Sequence, residues 1–260
     1  METNLAYKIL VYWNGVKKMN RDYNSEKENN EDRLYFYGFD FDVMHPFIFE
    51  SFSPHFIEGE VLELGSFEGA FTEHLLTRFQ NVDCVEASSE AAEIALQRHG
   101  DRIRVTVSTF ENLTLNKKYE NIVLTHVLEH LDDAVEVLKK IKAEWLAPKG
   151  RLFLVVPNAN APSRQIAVRM GLISHQAAVT DGEREHGHRI TYSLDTLYRD
   201  VISSDMKPIL SEGIFFKALA NFQWDQLLKT DIISPDYLRG CYELGKVYPD
   251  LCSSIFMLCE

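Results

Sequence analysis

The nine residues Val61-Leu-Glu-Leu-Gly-Ser-Phe-Glu-Gly69 constrain this 260-residue chain more than any other stretch. Val61–Leu64 is a short apolar run with strand character, and the residues after Gly69 place Phe71, Leu75 and Phe79 on one helical face. Between them lies a turn with a glycine at each end. Gly65 supplies freedom at positive φ, and Gly69 lets the helix begin close to the strand. A strand that turns so tightly into a helix belongs to a parallel sheet with crossover helices. The free N–H groups and positive dipole end of such a helix start favour an anionic ligand group.

The pattern repeats downstream. Val82–Glu86 reads as a second strand, with Ser88 or Ser89 capping a helix that runs to about Arg98. Ile103–Val107 alternates as a third strand, and Ile122–Leu124 is a continuous apolar core strand. Asp132 or Asp133 caps a helix carrying Val135, Leu138 and Ile141, and Leu152–Val156 is a fifth strand stopped by Pro157. Strands alternating with helices predict a parallel sheet covered on both faces. After Pro157 the alternation lapses for about fifty residues before two late strand candidates, Pro208–Phe216 and Ser253–Cys259.

The N-terminal side differs in character. Residues 19–33 are polar, Asn-rich and charged, so 1–33 is expected to be an extension with a mobile linker, and the folded body starts at the aromatic-rich stretch from Leu34. Pro46 suits the first turn of a short helix and Pro54 its end. The chain has no stretch near the ~20 apolar residues of a membrane span, and its start has no small-residue cleavage site, so a cytoplasmic location and no membrane partner are expected. A net charge of −12 without a basic stripe argues against nucleic acid as a partner. The four cysteines form no CxxC pair and are expected to be reduced core thiols.

Twenty-one residues after Gly65, at the end of the second strand, stands Glu86. A carboxylate there reaches the two hydroxyls of a ribose. The site therefore expects a nucleoside. A dinucleotide fits poorly: G-x-G-x-x-G needs a second glycine for close approach of a pyrophosphate, and that position is Phe67, with Gly69 one residue early.

These residues carry a resemblance. Glu63-Leu-Gly-Ser-Phe-Glu-Gly69 resembles motif I of class I S-adenosylmethionine-dependent methyltransferases, usually E/D-x-G-x-G-x-G. Tyr119-Glu-Asn-Ile-Val-Leu-Thr-His-Val-Leu-Glu-His-Leu131 is similar to their motif IV, and Leu146-Ala-Pro-Lys-Gly150 resembles the entry to their fifth strand. Pro157-Asn158 with Gly187-His188-Arg189 resembles the UbiG-like, type 11/12 branch that methylates small molecules. The resemblance covers roughly residues 34–260 and departs from the family at Phe67, Thr109 and Glu120.

It implies a Rossmann-like α/β fold: a doubly wound seven-stranded sheet, mostly parallel with an antiparallel last strand, and helical cap insertions at about 34–52, 158–195 and 217–250. It implies S-adenosyl-L-methionine as cofactor. Glu63 opens the motif; Gly65, Ser66, Phe67 and Gly69 would line the methionine moiety. Glu86 would hold the ribose, with Ala87 and Ser88 beside the adenine. Thr109 and Phe110 would flank the adenine edge, and Thr125 and His126 would lie near the sulfonium. The reaction implied is methyl transfer to an oxygen or nitrogen of a small-molecule acceptor by a monomer or homodimer. A non-catalytic S-adenosylmethionine-binding module is the alternative, with an NAD-dependent oxidoreductase behind it.

Three histidine patterns remain. His126-Val-Leu-Glu-His130 matches the H-x-x-E-H of inverted zinc peptidases, but that chemistry needs both histidines on one face of a helix, and here they leave a strand; no metal is expected. His130 reads as a loop-holding hydrogen-bond partner. His126, directly after the fourth strand, is a candidate general base or cofactor neighbour. In the stretch between Asn158 and Tyr192, Arg164, His186, His188 and Tyr192 are candidate acceptor contacts, with His188 a second candidate base.

Overall fold

The computed structural model describes residues 21–25 and 37–260. Seven strands form one sheet: β1 (Val61–Leu64), β2 (Val82–Glu86), β3 (Ile103–Val107), β4 (Tyr119–Thr125), β5 (Leu146–Pro157), β6 (Pro208–Ile214) and β7 (Ser254–Cys259). Their order is β3-β2-β1-β4-β5-β7-β6. The first five pair in parallel, while β7 is antiparallel to both β5 and β6. The strand order reverses between β1 and β4, and crevices open at such a switch point, beyond the carboxyl ends of the strands.

Strand alternation divides the core. Leu152, Leu154 and Val156 of β5, with Ile255, Met257 and Cys259 of β7, join one apolar layer. Phe153 and Val155 of β5, with Phe256 and Leu258 of β7, join the other. Strands buried on both faces in this way read as the continuous apolar runs seen in the sequence. The first layer is completed by α4 (Ala134–Lys140) and α7 (Leu194–Ser203) through Val137, Leu138, Leu197 and Val201. The second is covered by α1 (His45–Phe52) and α2 (Ala70–Arg78) through Phe47, Ile48, Phe52, Phe71 and Leu75.

The helix starts follow their caps. Ser88 Oγ accepts the Ala91 N–H at 3.2 Å to open α3 (Ser89–His99), and Asp133 Oδ1 accepts the Glu136 N–H at 3.0 Å to open α4. The remaining helices are α5 (Pro162–Arg169), α6 (Asp181–Glu185), α8 (Asn221–Leu227) and α9 (Pro235–Val247). Cys84, Cys252 and Cys259 are buried, Cys241 is half-buried, and all four are free thiols. Among the described residues no helix is long and apolar enough to cross a membrane.

Several expectations need correction. β4 and β5 extend further than their apolar cores, and β6 ends at Ile214 because Phe215 adopts φ 62°, which breaks the ladder. The aromatic stretch placed in a cap at 34–52 is largely sheet-covering core: Phe39, Val43, Met44, Phe47, Ile48 and Phe52 are all buried. In 217–250 only single residues join that core: Trp224 and Tyr242 are buried and a Cβ on Gly245 of α9 would stand 2.5 Å from the Phe215 nitrogen, while most of the segment is exposed or half-buried. Residues 21–25, placed in the mobile linker, lie against the body: Arg21 donates to the His130 carbonyl at 2.7 Å, and Ser88 Oγ donates to Asn24 Oδ1 at 2.8 Å. The rest of the N-terminal expectation, residues 1–20 and 26–33, falls outside the described residues.

Candidate functional site

A cavity of about 610 Å³ opens over the carboxyl ends of β1 to β5. That volume lies within the roughly 300–1,000 Å³ usual for ligand pockets. Its floor is the glycine turn. Gly65 sits at φ 80°, and its N–H donates to the Val85 carbonyl at 2.8 Å, tying the turn to β2. A Cβ on Gly65 would approach Val127 Cγ2 to 2.5 Å, so the turn fits beneath the loop after β4 only without a side chain. Phe67 is itself left-handed at φ 47° and donates its N–H to Glu86 Oε2 at 2.8 Å. The second oxygen of Glu86 accepts the Ser88 N–H at 2.8 Å. Burial pushes the Glu86 carboxyl upward, and those backbone donors oppose it.

Of the cofactor residues expected from the sequence, Glu63, Gly65, Ser66, Phe67, Glu86, Ala87, Ser88, Thr109, Phe110, Thr125 and His126 line this one cavity. Gly69 does not. It caps α2 at φ 79°, where its carbonyl is 2.7 Å from His99 Nε2. Glu63 lies deeper, where Thr72 Oγ1 donates to its Oε2 at 2.5 Å, and burial raises its carboxyl to about 8. Thr109 Oγ1 accepts from Asn112 Nδ2 at 3.0 Å. Thr125 Oγ1 is buried with no hydrogen-bond partner, a polar atom left for a ligand.

His126 adopts φ 55° at the end of β4, and its Nε2 is 3.2 Å from Ser254 Oγ. Burial, reinforced by His188 and Lys217, lowers its imidazole to about 4, so it is neutral at pH 7. The segment expected as a cap, 158–195, contributes to the lining of the same cavity. Arg164, His186 and His188 line the cavity. Arg164 braces the cap, donating to the Gln176 carbonyl at 2.7 Å and pairing with Glu183 at 2.6 Å. His188 is buried, and burial lowers its imidazole to about 4 against the opposing pull of Glu183.

Tyr192, expected at the acceptor, is corrected: it lies in the core beneath the cap, 1% exposed, with its hydroxyl donating to Asp200 Oδ2 at 3.2 Å. Its aromatic ring belongs to the apolar layer of β5 and α7, which is why a polar reading of the residue failed.

Three residues of the cavity wall, Lys217, Asp40 and Glu129, were not among the site residues expected from the sequence. Lys217 is buried in the cavity wall, its ammonium 4.4 Å from the Phe39 ring and lowered to about 8 by burial. Asp40, raised to about 6 chiefly by burial, accepts from Asn221 Nδ2 at 2.7 Å across 181 residues of sequence. No local pattern links positions so far apart. The third is Glu129, which the sequence showed only as the acid of the H-x-x-E-H pattern. It is 1% exposed with both carboxyl oxygens unpartnered, beside His130 and His188, whose rings stand 4.4 Å apart.

The fold is similar to a SAM-dependent methyltransferase from Leishmania major, at 15% identity and TM-score 0.60 over 92% of this chain and 82% of that one. It is similar to a possible histamine N-methyltransferase from Thermotoga maritima, at 16% identity and TM-score 0.58 over 90% and 96%. It is also similar to DhpI in its SAM and HEP complex, at 17% identity and TM-score 0.58 over 92% and 94%. No curated protein matches the sequence. A family model described as a methyltransferase domain matches residues 37–203, and on that match the chain belongs to the methyltransferase-domain family.

Proposed function

We propose that this protein transfers a methyl group from S-adenosylmethionine to an oxygen or nitrogen of a small-molecule acceptor. The observation that carries the reading is the convergence of the Gly65 turn and the Glu86 carboxylate on one cavity at the sheet's switch point. Glu86 Oε2 accepts the Phe67 N–H and Oε1 the Ser88 N–H, and a carboxylate's roughly four lone-pair sites leave room for a ribose hydroxyl as well. The unpartnered Thr125 Oγ1 and the side-chain-free approach at Gly65 suit the same ligand. The fit therefore favours a nucleoside cofactor, and DhpI, a similar fold, carries SAM in its complex.

Bound there, S-adenosylmethionine supplies an electrophilic methyl group. The chain's own part is to hold the two reactants in line and exclude water, which is worth roughly 7–11 kcal/mol of barrier. The acceptor would enter between the strand ends and the cap, against His126, His188 and Lys217. His126, neutral at pH 7, is placed to take a proton from the acceptor as its lone pair becomes a bond to carbon.

The test is incubation of the purified protein with methyl-labelled S-adenosylmethionine and a deproteinised metabolite extract. A labelled small molecule formed together with S-adenosylhomocysteine supports the reading. Tight binding of S-adenosylmethionine without any labelled product in extract would favour a binding module instead.

A further inference from the structure

We propose that Glu129, His130 and His188 form a binding site for one divalent transition-metal ion, open on the cavity side to an oxygen of the acceptor. The three side chains each offer a ligand atom, and these atoms lie within 4.8 Å of one another. Ligands of one ion with bonds of roughly 2.0–2.2 Å stand no more than about 4.4 Å apart, so side-chain adjustments of a few tenths of an ångström bring the three atoms onto one ion. The second observation is independent of that spacing. Glu129 is 1% exposed, and neither of its carboxyl oxygens has a hydrogen-bond partner. Two unsatisfied oxygens on one buried acid are costly, and structures keep such groups where an ion or ligand satisfies them.

The surroundings hold the three ligands at fixed separation. Glu129 and His130 end the short turn Leu128–His130 after β4, while His188 comes from the cap. The Glu129 carbonyl accepts the N–H groups of Arg189 and Ile190, at 2.8 and 3.4 Å, which clamps the two segments together. Arg21 clamps them again, donating to the carbonyls of His130 at 2.7 Å and Gly187 at 3.3 Å. Gly187 at φ 86° permits the bend that turns His188 toward Glu129.

The donor set decides the ion. Two imidazoles and one carboxylate suit zinc, cobalt or iron(II) rather than calcium or magnesium, which prefer all-oxygen shells. Three protein ligands also leave coordination positions open, the pattern of reactive rather than structural sites. All three residues line the cavity, so the open side faces the acceptor. That last part rests on the methyl-transfer reading; ion binding itself does not. A metal-bound acceptor hydroxyl would pass its proton more readily to His126 in the same cavity, and the resulting alkoxide is the better nucleophile toward the methyl carbon.

The experiment uses the full-length chain without an affinity tag, stripped with chelator and titrated with Co²⁺ by visible absorption and with Zn²⁺ by calorimetry. One ion per chain is expected, with affinity falling at least tenfold in both Glu129→Gln and His188→Ala. Affinity for S-adenosylhomocysteine should be unchanged in both variants, which controls for folding. Acetohydroxamate, an oxygen chelator, is expected to shift the spectrum of the Co²⁺ form. Failure of the native chain to bind either ion stoichiometrically, or equal affinity in Glu129→Gln, overturns the site. A cobalt spectrum indifferent to acetohydroxamate overturns its openness to the acceptor. Metal binding in a chain that ignores S-adenosylhomocysteine would instead overturn the cofactor reading and leave the metal site standing.

Discussion

The backbone N–H of Phe67 donates to Glu86 Oε2 at 2.8 Å, so the turn after β1 and the end of β2 are one unit. On the proposed cofactor reading, removing the carboxylate takes away two acceptors for ribose hydroxyls and frees the turn as well. Glu86→Ala is expected to weaken S-adenosylhomocysteine binding by at least about 1.5 kcal/mol, the scale of a hydrogen bond to a charged group. Calorimetry measures it, and an unchanged dissociation constant would remove Glu86 from the cofactor site.

Gly65 meets two demands at once, a left-handed backbone and a 2.5 Å approach to Val127. Gly171, at φ 73°, has the first demand but open space around it. Each Gly→Ala change carries a backbone cost of order 1 kcal/mol. Only Gly65→Ala also displaces Val127, the neighbour of His126. Thermal melts should therefore show a larger loss for Gly65→Ala than for Gly171→Ala, and calorimetry should show weaker cofactor binding in the first alone. Equal losses in the two variants would mean that Val127 gives way freely.

What could be read in advance follows physical range. The strand and helix series was legible because period and caps are local: Val61–Leu64 and the Ser88 and Asp133 caps stand where side-chain chemistry puts them. The Gly65 and Glu86 pair was legible because β1 and β2 are neighbours in a parallel sheet, which fixes their spacing. The cap side was not. Tyr192 presents the same sequence signal whether its hydroxyl meets an acceptor or, as found, Asp200. Lys217 with Asp40, and Glu129 with His188, depend on contacts between distant segments that no periodicity encodes.

Tyr192→Phe separates those two roles. The hydroxyl lies 3.2 Å from Asp200 Oδ2 in the core, and the ring supplies most of the packing, which phenylalanine keeps. Stability should fall by about 1 kcal/mol, the net worth of one such hydrogen bond. Methyl transfer per folded molecule should not change. Urea denaturation and a transfer assay decide it; a tenfold loss of transfer at full stability would return Tyr192 to the acceptor.

Glu63 sets a pH dependence whose sign follows from its burial. Its carboxyl is raised from 4.5 to about 8, with loss of solvent the main cause and the bonds from Thr72 and Cys84 opposing it. Between those values the folded chain holds a proton that the unfolded chain has released. Stability from this group is thus fully present below about 4.5 and is lost progressively as pH rises to about 8. The total is on the order of a few kcal/mol. Glu63→Gln removes the titration, and its amide oxygen can still accept from Thr72 Oγ1. Any fixed cost of seating the amide shifts its stability equally at every pH, so the slope is the informative quantity. Urea denaturation at pH 5 and pH 8.5 should show Glu63→Gln gaining on the parent chain as pH rises, by at least about 1 kcal/mol across the interval. Parallel pH profiles for the two proteins would mean that Glu63 is ionised in the folded state and that Thr72 stabilises a carboxylate rather than an acid.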